Sequence, residues 1–203
     1  MDTQQTYDKI ASNWATRHAH NTWWIHGTDH FATMLAPGST VLDMGCGAGD
    51  KTDYLHQQGL DTQGMDFSQS MVDLASKTFP HLKFSIQDLY RAGEITTRFN
   101  GIFLQAVLLH VPKVKVPGVL AQLQTLLKSA GLIYVAVKER QPGQPEEVTL
   151  DEEYNGVKCQ RFFSNFTMQE LQELMASAGM PAVWQNRVPG NTTHWLQIIG
   201  KKA

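Results

Sequence analysis

Two kinds of hydrophobic pattern alternate along most of the chain. Short runs of consecutive apolar residues, of which 132–137 is the clearest, are typical of strands that are buried on both faces. Between such runs, apolar residues recur at the spacing of a helix. This spacing predicts helices over residues 50–58, 68–80 and 117–131. The alternation of strands and helices predicts an α/β fold in which a mainly parallel sheet is covered on both faces.

Particular residue types mark the ends of these helices. Gly59 suits the position after the first helix, where the chain often takes a left-handed conformation. Ser68 is the expected cap of the second. Pro117 suits the first turn of the third helix, which we expect to end at Gly131.

The two ends of the chain add further elements. Tyr7, Ile10, Ala11 and Trp14 have helical spacing and predict an N-terminal helix. Near the other end, Thr167-Met168-Gln169-Glu170 is a capping box that begins a helix. Two strand candidates follow, over 182–188 and 193–199, joined by Pro189-Gly190-Asn191. Strands joined by so short a turn must be antiparallel.

Residues 138–166 interrupt the alternation. The segment contains Pro142, Gly143, Pro145 and several acidic residues, and it predicts an excursion that is partly mobile. We interpret its acidic residues as a solvated surface. The sequence Arg161-Phe162-Phe163, which follows them, is interpreted as packing.

The clearest candidate site is the turn within residues 41–50. An apolar strand runs into Gly45, Gly47 and Gly49, and a helix begins directly afterwards. Glycines allow positive φ and let a ligand lie against the main chain, while the first N–H groups of the helix stay available. Asp50, Thr52 and Asp53 are expected side-chain caps. By itself the pattern is also typical of an ordinary strand-to-helix turn.

Acidic residues follow the next two predicted strands. Asp66 ends the run Gly64-Met65-Asp66, and Asp88 ends the run 84–88. Taken singly, each is as well explained as a turn or cap residue. Together with the glycine turn, they place polar groups at the carboxyl ends of three consecutive strands, which is where open α/β sheets bind ligands. A carboxylate at the position of Asp66 can accept hydrogen bonds from neighbouring ribose hydroxyls.

With these motifs the chain resembles the class I S-adenosylmethionine-dependent methyltransferases over nearly its whole length. The resemblance implies a Rossmann-like, doubly wound, seven-stranded sheet of order 3-2-1-4-5-7-6, mostly parallel with a C-terminal antiparallel hairpin. It also implies which residues hold S-adenosylmethionine and release S-adenosylhomocysteine. Asp43 and the backbone of Gly45, Cys46 and Gly47 would hold the methionyl end of the cofactor, and Asp66 would bind the ribose. Asp88 and the Leu89 N–H would bind the adenine, and Phe67 would lie against it. Gln105 and Ala106 would lie near the sulfonium.

A dinucleotide-dependent oxidoreductase is the main competing interpretation. The dinucleotide fingerprint is Gly-x-Gly-x-x-Gly, but counted from Gly45 its third glycine falls on Asp50. A carboxylate there would repel a pyrophosphate, whereas S-adenosylmethionine carries no phosphate. Asp43 also favours S-adenosylmethionine over a dinucleotide, because the amine of the methionyl end is a cation.

Methyl transfer from a sulfonium needs alignment and exclusion of water more than it needs catalytic side chains. His110 is the best-placed candidate base, with a structural hydrogen bond as the alternative. Arg17 could pair with the carboxylate of the cofactor or be a surface residue. Aromatic residues could favour the cationic sulfur or simply pack, and these are Tyr7, Trp14, Trp23 and Trp24. His26 and His30 have the spacing of metal ligands on a helix, but no third ligand supports them and Gly27 argues against the helix, so no metal is expected.

Length and charge narrow the remaining choices. The 203 residues, 42% hydrophobic, suit one methyltransferase domain over 1–203, with an N-terminal helical cap over 1–36 and an insertion over 139–166 that forms a roof over the substrate. The net charge of −2 gives no general attraction to nucleic acid. No signal peptide or membrane-spanning run is visible, so a cytoplasmic enzyme without membrane partners is expected.

The expected function is transfer of a methyl group to a small-molecule acceptor. A non-catalytic, regulatory protein that binds S-adenosylmethionine and a methyltransferase for a macromolecule are the alternatives. The acceptor and the oligomeric state cannot be inferred from the chain.

Overall fold

The computed structural model describes residues 3–190 and 193–203. The helices are α1 (Thr3–His18), α2 (Ile25–Thr33), α3 (Asp50–Gln57), α4 (Gln69–Thr78), α5 (Val116–Leu126) and α6 (Met168–Ser177). The strands are β1 (Thr40–Met44), β2 (Asp61–Asp66), β3 (Lys83–Ile86), β4 (Phe99–Gln105), β5 (Leu127–Lys138), β6 (Glu147–Tyr154), β7 (Val157–Ser164), β8 (Ala182–Val188) and β9 (Trp195–Lys201). Short 3₁₀ helices follow β3 and β4.

Seven strands form one sheet in the order β3-β2-β1-β4-β5-β9-β8. The strands from β3 to β5 pair in parallel, and β9 is antiparallel to both of its neighbours. Numbered by the sheet strands alone, this is the expected order 3-2-1-4-5-7-6, so the predicted fold class is confirmed. Because Asp43 of β1 pairs with Gly64 of β2 and Phe103 of β4, the carboxyl ends of these strands meet at one edge.

The core lies on both faces of the sheet. Side chains alternate along each strand, so Ile102 and Leu104 of β4 pack in the cluster beneath α5 and α6, whereas Phe103 packs in the cluster beneath α2 and α3. Phe103 stacks on Tyr134 of β5 with 4.5 Å between ring centroids. The apolar character of β5 follows directly, because its inner residues are buried on both faces.

Most of the predicted helix ends are confirmed. Gly59 has φ +84° just after α3, and the Ser68 side chain accepts a hydrogen bond from Met71 N–H at the start of α4. Pro117 lies in the first turn of α5, and Thr167 and Glu170 form the reciprocal capping box of α6.

The predicted end of α5 at Gly131 is wrong. The helix ends at Leu126, and β5 begins at Leu127. The register with β4 then shifts, since Phe99 pairs with Leu127 but Gly101 pairs with Leu132. The intervening residues form an irregular bulge that no helical or alternating pattern describes.

Residues 138–166 are also more regular than predicted. They contain an antiparallel hairpin in which all eight residues of β6 pair with β7. The turn is Asn155-Gly156, with φ values of +48° and +83°. An Asn-Gly pair between alternating residues is a strong hairpin signal, and it could have predicted these strands.

The N-terminal helices lie over the sheet. α1 packs against α4 and against both hairpin strands. α2 is a regular helix, so the objection drawn from Gly27 was wrong. A Cβ on Gly27 would lie 2.6 Å from the Gln197 side chain, which shows that glycine permits close packing of α2 on β9.

The C-terminal hairpin is confirmed, although β9 begins at Trp195 rather than at residue 193. Asn191, part of the predicted connecting turn, lies outside the described residues. Within the described ranges, no helix combines the length and apolar character needed to cross a membrane.

Candidate active site

A cavity of about 690 Å³ lies at the carboxyl edge of the sheet, between the glycine turn, α1 and the β6–β7 hairpin. Its volume is within the usual range for small-ligand pockets, about 300–1,000 Å³. The lining includes every predicted site residue, namely Tyr7, Arg17, Asp43, Gly45, Cys46, Gly47, Asp66, Phe67, Asp88, Leu89, Gln105, Ala106 and His110. The fold thus brings these positions to one cavity.

The glycine turn depends on its lack of side chains. Gly45 has φ +76°, and a Cβ there would lie 2.4 Å from a methyl group of Val107. Its N–H and that of Cys46 both donate to Met65 O, while the Gly47 N–H donates to Asp66 Oδ2. The turn is therefore held rigidly against the ends of β2 and β4.

The predicted side-chain caps of α3 are wrong. The N-cap is Gly49, with no side-chain cap. Thr52 instead donates from Oγ1 to Asp43 Oδ2 at 2.7 Å, and Asp53 contacts Gln57 and His81. Thr52 is buried, whereas Asp53 is partly exposed beside Gln57 and His81.

Asp43 is a buried carboxylate at the end of β1. It is 1% exposed, and the burial raises its pKa to about 7, although the hydrogen bond from Thr52 partly opposes the shift. The positive charge of Lys51 also opposes the rise in the pKa of Asp43. A cationic group entering the cavity would favour the ionised form of this carboxylate.

Asp66 ends β2 and is 6% exposed. Its Oδ2 accepts from Gly47 N–H and its Oδ1 from Ser68 N–H, each at 2.9 Å. Burial raises the pKa of Asp66, and these main-chain donors oppose that shift. Because each carboxylate oxygen can accept a second hydrogen bond, the residue is oriented and still able to bind a ligand hydroxyl.

Asp88 and Phe67 line the same end of the cavity. Asp88 Oδ1 accepts from Tyr90 N–H at 2.9 Å and so caps the 3₁₀ helix that begins at Leu89. The cap leaves further acceptor positions on the Asp88 carboxylate. The Phe67 ring lies 6.2 Å from the Tyr7 ring.

Gln105 and Ala106 follow β4. Ala106 has φ +57°, and its N–H donates to Ala136 O. Both amide atoms of Gln105 are buried without a hydrogen-bond partner among the described residues, and so is Nε1 of Trp14. Buried polar groups of this kind normally have partners. Their position on the cavity wall fits a polar ligand at this end of β4.

A chain of hydrogen bonds joins α1 to the hairpin. Arg161 of β7 donates to both carboxylate oxygens of Glu152 on β6 and, from Nη1, to Tyr7 Oη at 2.9 Å. Tyr7 in turn lies 2.9 Å from His110 Nε2. Since His110 Nδ1 lies 2.7 Å from Phe162 O, which can only accept, Nδ1 carries the hydrogen and Nε2 accepts from Tyr7.

The surroundings of this network determine the protonation states of His110 and Arg161 beneath the hairpin. Burial lowers the pKa of His110 to about 3, so the ring is neutral at neutral pH. Burial opposes the charge of Arg161, but the Glu152 carboxylate holds the pKa of Arg161 above its usual value. The sequence interpretation of Arg161 as packing and of the acids as a solvated surface was incomplete, because Arg161 is 8% exposed and bonded to Glu152.

The remaining candidates have identifiable contacts. Arg17 donates to Glu153 O and lies 4.9 Å over the Tyr154 ring, at the rim of the cavity. Trp23 stacks on Trp195 with 3.7 Å between centroids, and both line the cavity. His30 stacks on Trp184. Within the described ranges, no group of three or more His, Cys, Asp or Glu side chains is placed to hold a metal.

A sequence model of the family described as a methyltransferase domain matches residues 15–183. Among curated relatives, the chain is 25% identical over 164 residues to a phosphoethanolamine N-methyltransferase from Triticum aestivum, covering 76% of this chain and 31% of that protein. It is 27% identical over 134 residues to a ubiquinone biosynthesis O-methyltransferase from Xanthomonas campestris, covering 62% of this chain and 54% of that protein. The matches therefore span about a third to a half of the length of these relatives.

Among solved structures, the fold is similar to that of a 1,6-didemethyltoxoflavin-N1-methyltransferase from Burkholderia thailandensis. The TM-score is 0.77 at 21% identity, and the alignment covers 98% of this chain and 87% of that one. That protein was crystallised with 1,6-didemethyltoxoflavin and S-adenosylhomocysteine bound.

Proposed function

The chain belongs to the class I S-adenosylmethionine-dependent methyltransferases, and from this premise we propose that its acceptor is a small molecule bound beneath the β6–β7 hairpin. The observation that carries the proposal is that one continuous cavity runs from the glycine turn to the hairpin. Its wall at one end consists of the residues expected to bind the cofactor. Its wall at the other end consists of α1 and the hairpin, and its volume of about 690 Å³ is within the usual range for small-ligand pockets.

The residues at the first end fit S-adenosylmethionine. We propose that Asp66 binds the ribose hydroxyls, Asp43 and the turn at Gly45–Gly47 the methionyl end, and Asp88 with Leu89 the adenine. Two observations support this assignment. Asp66 is oriented by main-chain donors, and the unpartnered amide of Gln105 lies on the cavity wall at the end of β4.

When bound, S-adenosylmethionine supplies a methyl group on a sulfonium, and the lone pair of the acceptor takes that carbon in line while the electron pair of the broken bond stays on sulfur. The residues of the chain align the acceptor and exclude water. α1 and the hairpin do this by covering the edge of the sheet.

We assign His110 a positioning role instead of proton abstraction. Both of its ring nitrogens are engaged, one with Phe162 O and one with the Tyr7 hydroxyl, and its pKa of about 3 makes it a weak base. By accepting from Tyr7, it fixes the hydroxyl that Arg161 contacts. The ring thereby holds α1 and the hairpin at a set distance from the end of β4.

The test is formation of S-adenosylhomocysteine with a panel of small acceptors. Turnover with a small molecule is the expected result. Binding of S-adenosylmethionine without turnover on any acceptor would favour a regulatory protein, and turnover only with protein or RNA would favour a macromolecular acceptor. Asp66→Ala should lose turnover, whereas Asp61→Asn, at the opposite and exposed end of the same strand, should keep it.

A further inference from the structure

Lys138 places an uncompensated charge in the cavity. It is the last residue of β5 and lies directly beside Trp195 of β9. Lys138 lines the cavity, and its Nζ lies 3.5 Å from the centroid of the Phe163 ring, which lines the cavity as well. No hydrogen bond or ion pair joins this ammonium to any residue in the described ranges.

Other cationic side chains near the hairpin do have partners. Arg161 is bound by Glu152, Lys113 by Glu170, and Arg187 by Glu139. The charge of Glu152 acts on Lys138, but Glu152 makes its ion pair with Arg161, which donates to both of its oxygens, and it makes no ion pair with Lys138. The ammonium of Lys138 therefore lacks an acidic partner under the hairpin, whereas Arg17 lies at the rim of the cavity and donates to the main-chain oxygen of Glu153.

The groups that face Lys138 give this end of the cavity a net positive charge. β6 contributes Glu152, β7 contributes Arg161 and Phe163, and the segment after β4 contributes His110, which is neutral. Glu152 and Arg161 cancel, which leaves the charge of Lys138. Burial, together with the charge of Arg161, lowers the pKa of Lys138 to about 8, so it is mostly protonated at neutral pH.

The cofactor does not account for this charge. Of the acids that line the cavity, Asp43, Asp50, Asp66 and Asp88 lie at the end assigned to S-adenosylmethionine, and Glu152, under the hairpin, is paired with Arg161. Lys51 is the cation there, because its charge acts on Asp43 and Asp50 beside the glycine turn. Lys138 instead interacts with Arg161 and Glu152, under the hairpin.

Aromatic side chains surround the same space. Phe163, Tyr154 and the stacked pair of Trp23 and Trp195 line the cavity around Lys138. Flat, apolar walls with one charged group favour a flat ligand that carries one opposite charge.

Building on the proposed function, we propose that the acceptor is a small aromatic acid whose anionic oxygen, a carboxylate or an ionised phenol, binds Lys138. An anionic acceptor would also be attracted to the positive sulfonium of S-adenosylmethionine bound in the same cavity. Lys138 is thus a residue that determines acceptor specificity.

The first test measures binding and needs no turnover. Calorimetry with the protein–S-adenosylhomocysteine complex would use benzoate and salicylate, the uncharged benzamide and salicylamide, and para-nitrophenolate. The acids should bind at least about tenfold more tightly than their amides, which corresponds to one charge-assisted contact. Binding of the carboxylates or of the phenolate identifies which anionic oxygen is preferred. The proposal is overturned if neither the acids nor the phenolate bind more tightly than the uncharged amides.

The second test uses variants of the lysine. Lys138→Met should weaken binding of the acids about tenfold or more, leave that of the amides unchanged, and keep the affinity for S-adenosylhomocysteine. Lys138→Arg should retain much of the binding. Lys201→Met, at the exposed far end of β9, is the matched control and should change nothing. An unchanged affinity of Lys138→Met for the acids contradicts the inference.

The two proposals can fail separately. If the acids bind in a Lys138-dependent way but no acceptor yields S-adenosylhomocysteine, the inferred ligand class stands and the proposed catalysis fails. If turnover occurs only with neutral or cationic acceptors, catalysis stands and the role of Lys138 is refuted.

Discussion

The residues around Asp66 orient its carboxylate in the absence of a ligand. Two main-chain N–H groups fix its oxygens before any ligand arrives. Replacing it with alanine should weaken binding of S-adenosylhomocysteine by about 1–3 kcal/mol, the cost of losing charge-assisted hydrogen bonds. Calorimetry on the folded variant measures this, with Asp61→Asn as the control. Unchanged affinity would remove Asp66 from the binding site.

Asp43 predicts a pH dependence. Its pKa in the folded protein, about 7, is above the ordinary value of 3.8 because of burial. The folded protein thus favours the protonated form of Asp43. This preference contributes to the free energy of unfolding below about pH 4, and the contribution is lost as pH rises through about 7. The methionyl ammonium of S-adenosylhomocysteine should bind the ionised form better, so affinity should rise between about pH 6 and pH 8.

The Asp43→Asn variant isolates this effect from the titration of Asp66. Calorimetry across the same pH range should give a flatter profile for Asp43→Asn than for the wild-type protein, with Asp61→Asn retaining the wild-type slope. A wild-type affinity that does not change with pH would show that Asp43 does not meet the ammonium.

Gly45 is the residue at which a small change should do the greatest local harm. Gly45→Ala forces a positive φ on alanine and drives a Cβ to 2.4 Å from Val107. We expect a loss of stability of about 1–3 kcal/mol from the clash and the strain, measured by urea unfolding. Gly143→Ala is the control, because φ is also positive at Gly143 but its Cβ would meet nothing within 4 Å. Equal losses of stability in the two variants would show that the positive φ, and not the contact with Val107, causes the effect.

At the scale of elements, α1 and the hairpin are joined by the Tyr7 hydroxyl. Tyr7→Phe leaves Arg161 Nη1 and His110 Nε2 without this partner. The loss should cost about 1–3 kcal/mol and accelerate hydrogen exchange in α1 and β6–β7 more than in the central sheet. Tyr54→Phe, which loses a hydroxyl bond to Asp29 away from the hairpin, is the control. Uniform acceleration over the whole molecule would contradict the expected local effect.

The elements also show where sequence reasoning was sufficient. The strand β1 and residues 132–137 of β5 have apolar runs that predict buried strands, and the capping box marks the start of α6. The hairpin was missed because acidic residues hid its alternation. Without its register, the pairing of Glu152 with Arg161 could not be seen, since Arg161 lies diagonally across from Glu152 on the neighbouring strand.

For the whole molecule, the order of the sheet strands was predicted through family resemblance together with the short C-terminal turn. The residues of the cavity lining that directly follow a strand were predicted individually, as were Tyr7 and Arg17 on α1, whereas residues 139–166 were predicted to cover the substrate only as a segment. Lys138 and Arg161 were not predicted as site residues, because their roles depend on how distant segments pack. Long-range contacts of this kind leave no local pattern in a single sequence.

The whole fold should respond to the cofactor product. S-adenosylhomocysteine at about 100 times its dissociation constant should stabilise the protein by about 2.7 kcal/mol and raise the melting temperature. NADH at the same concentration should not, because Asp50 lies at the mouth of the turn and would repel a pyrophosphate. Stabilisation by NADH alone would contradict the assigned cofactor.

The base of the hairpin has a consequence for evolution. Arg140 N–H donates to Phe166 O at 2.8 Å, and Phe166 N–H donates to Lys138 O at 3.1 Å, so residues 138–140 and 166 are neighbours. A segment whose two ends touch can be lengthened, shortened or grafted from a homologue without displacing β5 or α6. Natural variation in this segment can thus reshape the space under the hairpin while the glycine turn and the ends of β1 and β2 stay unchanged.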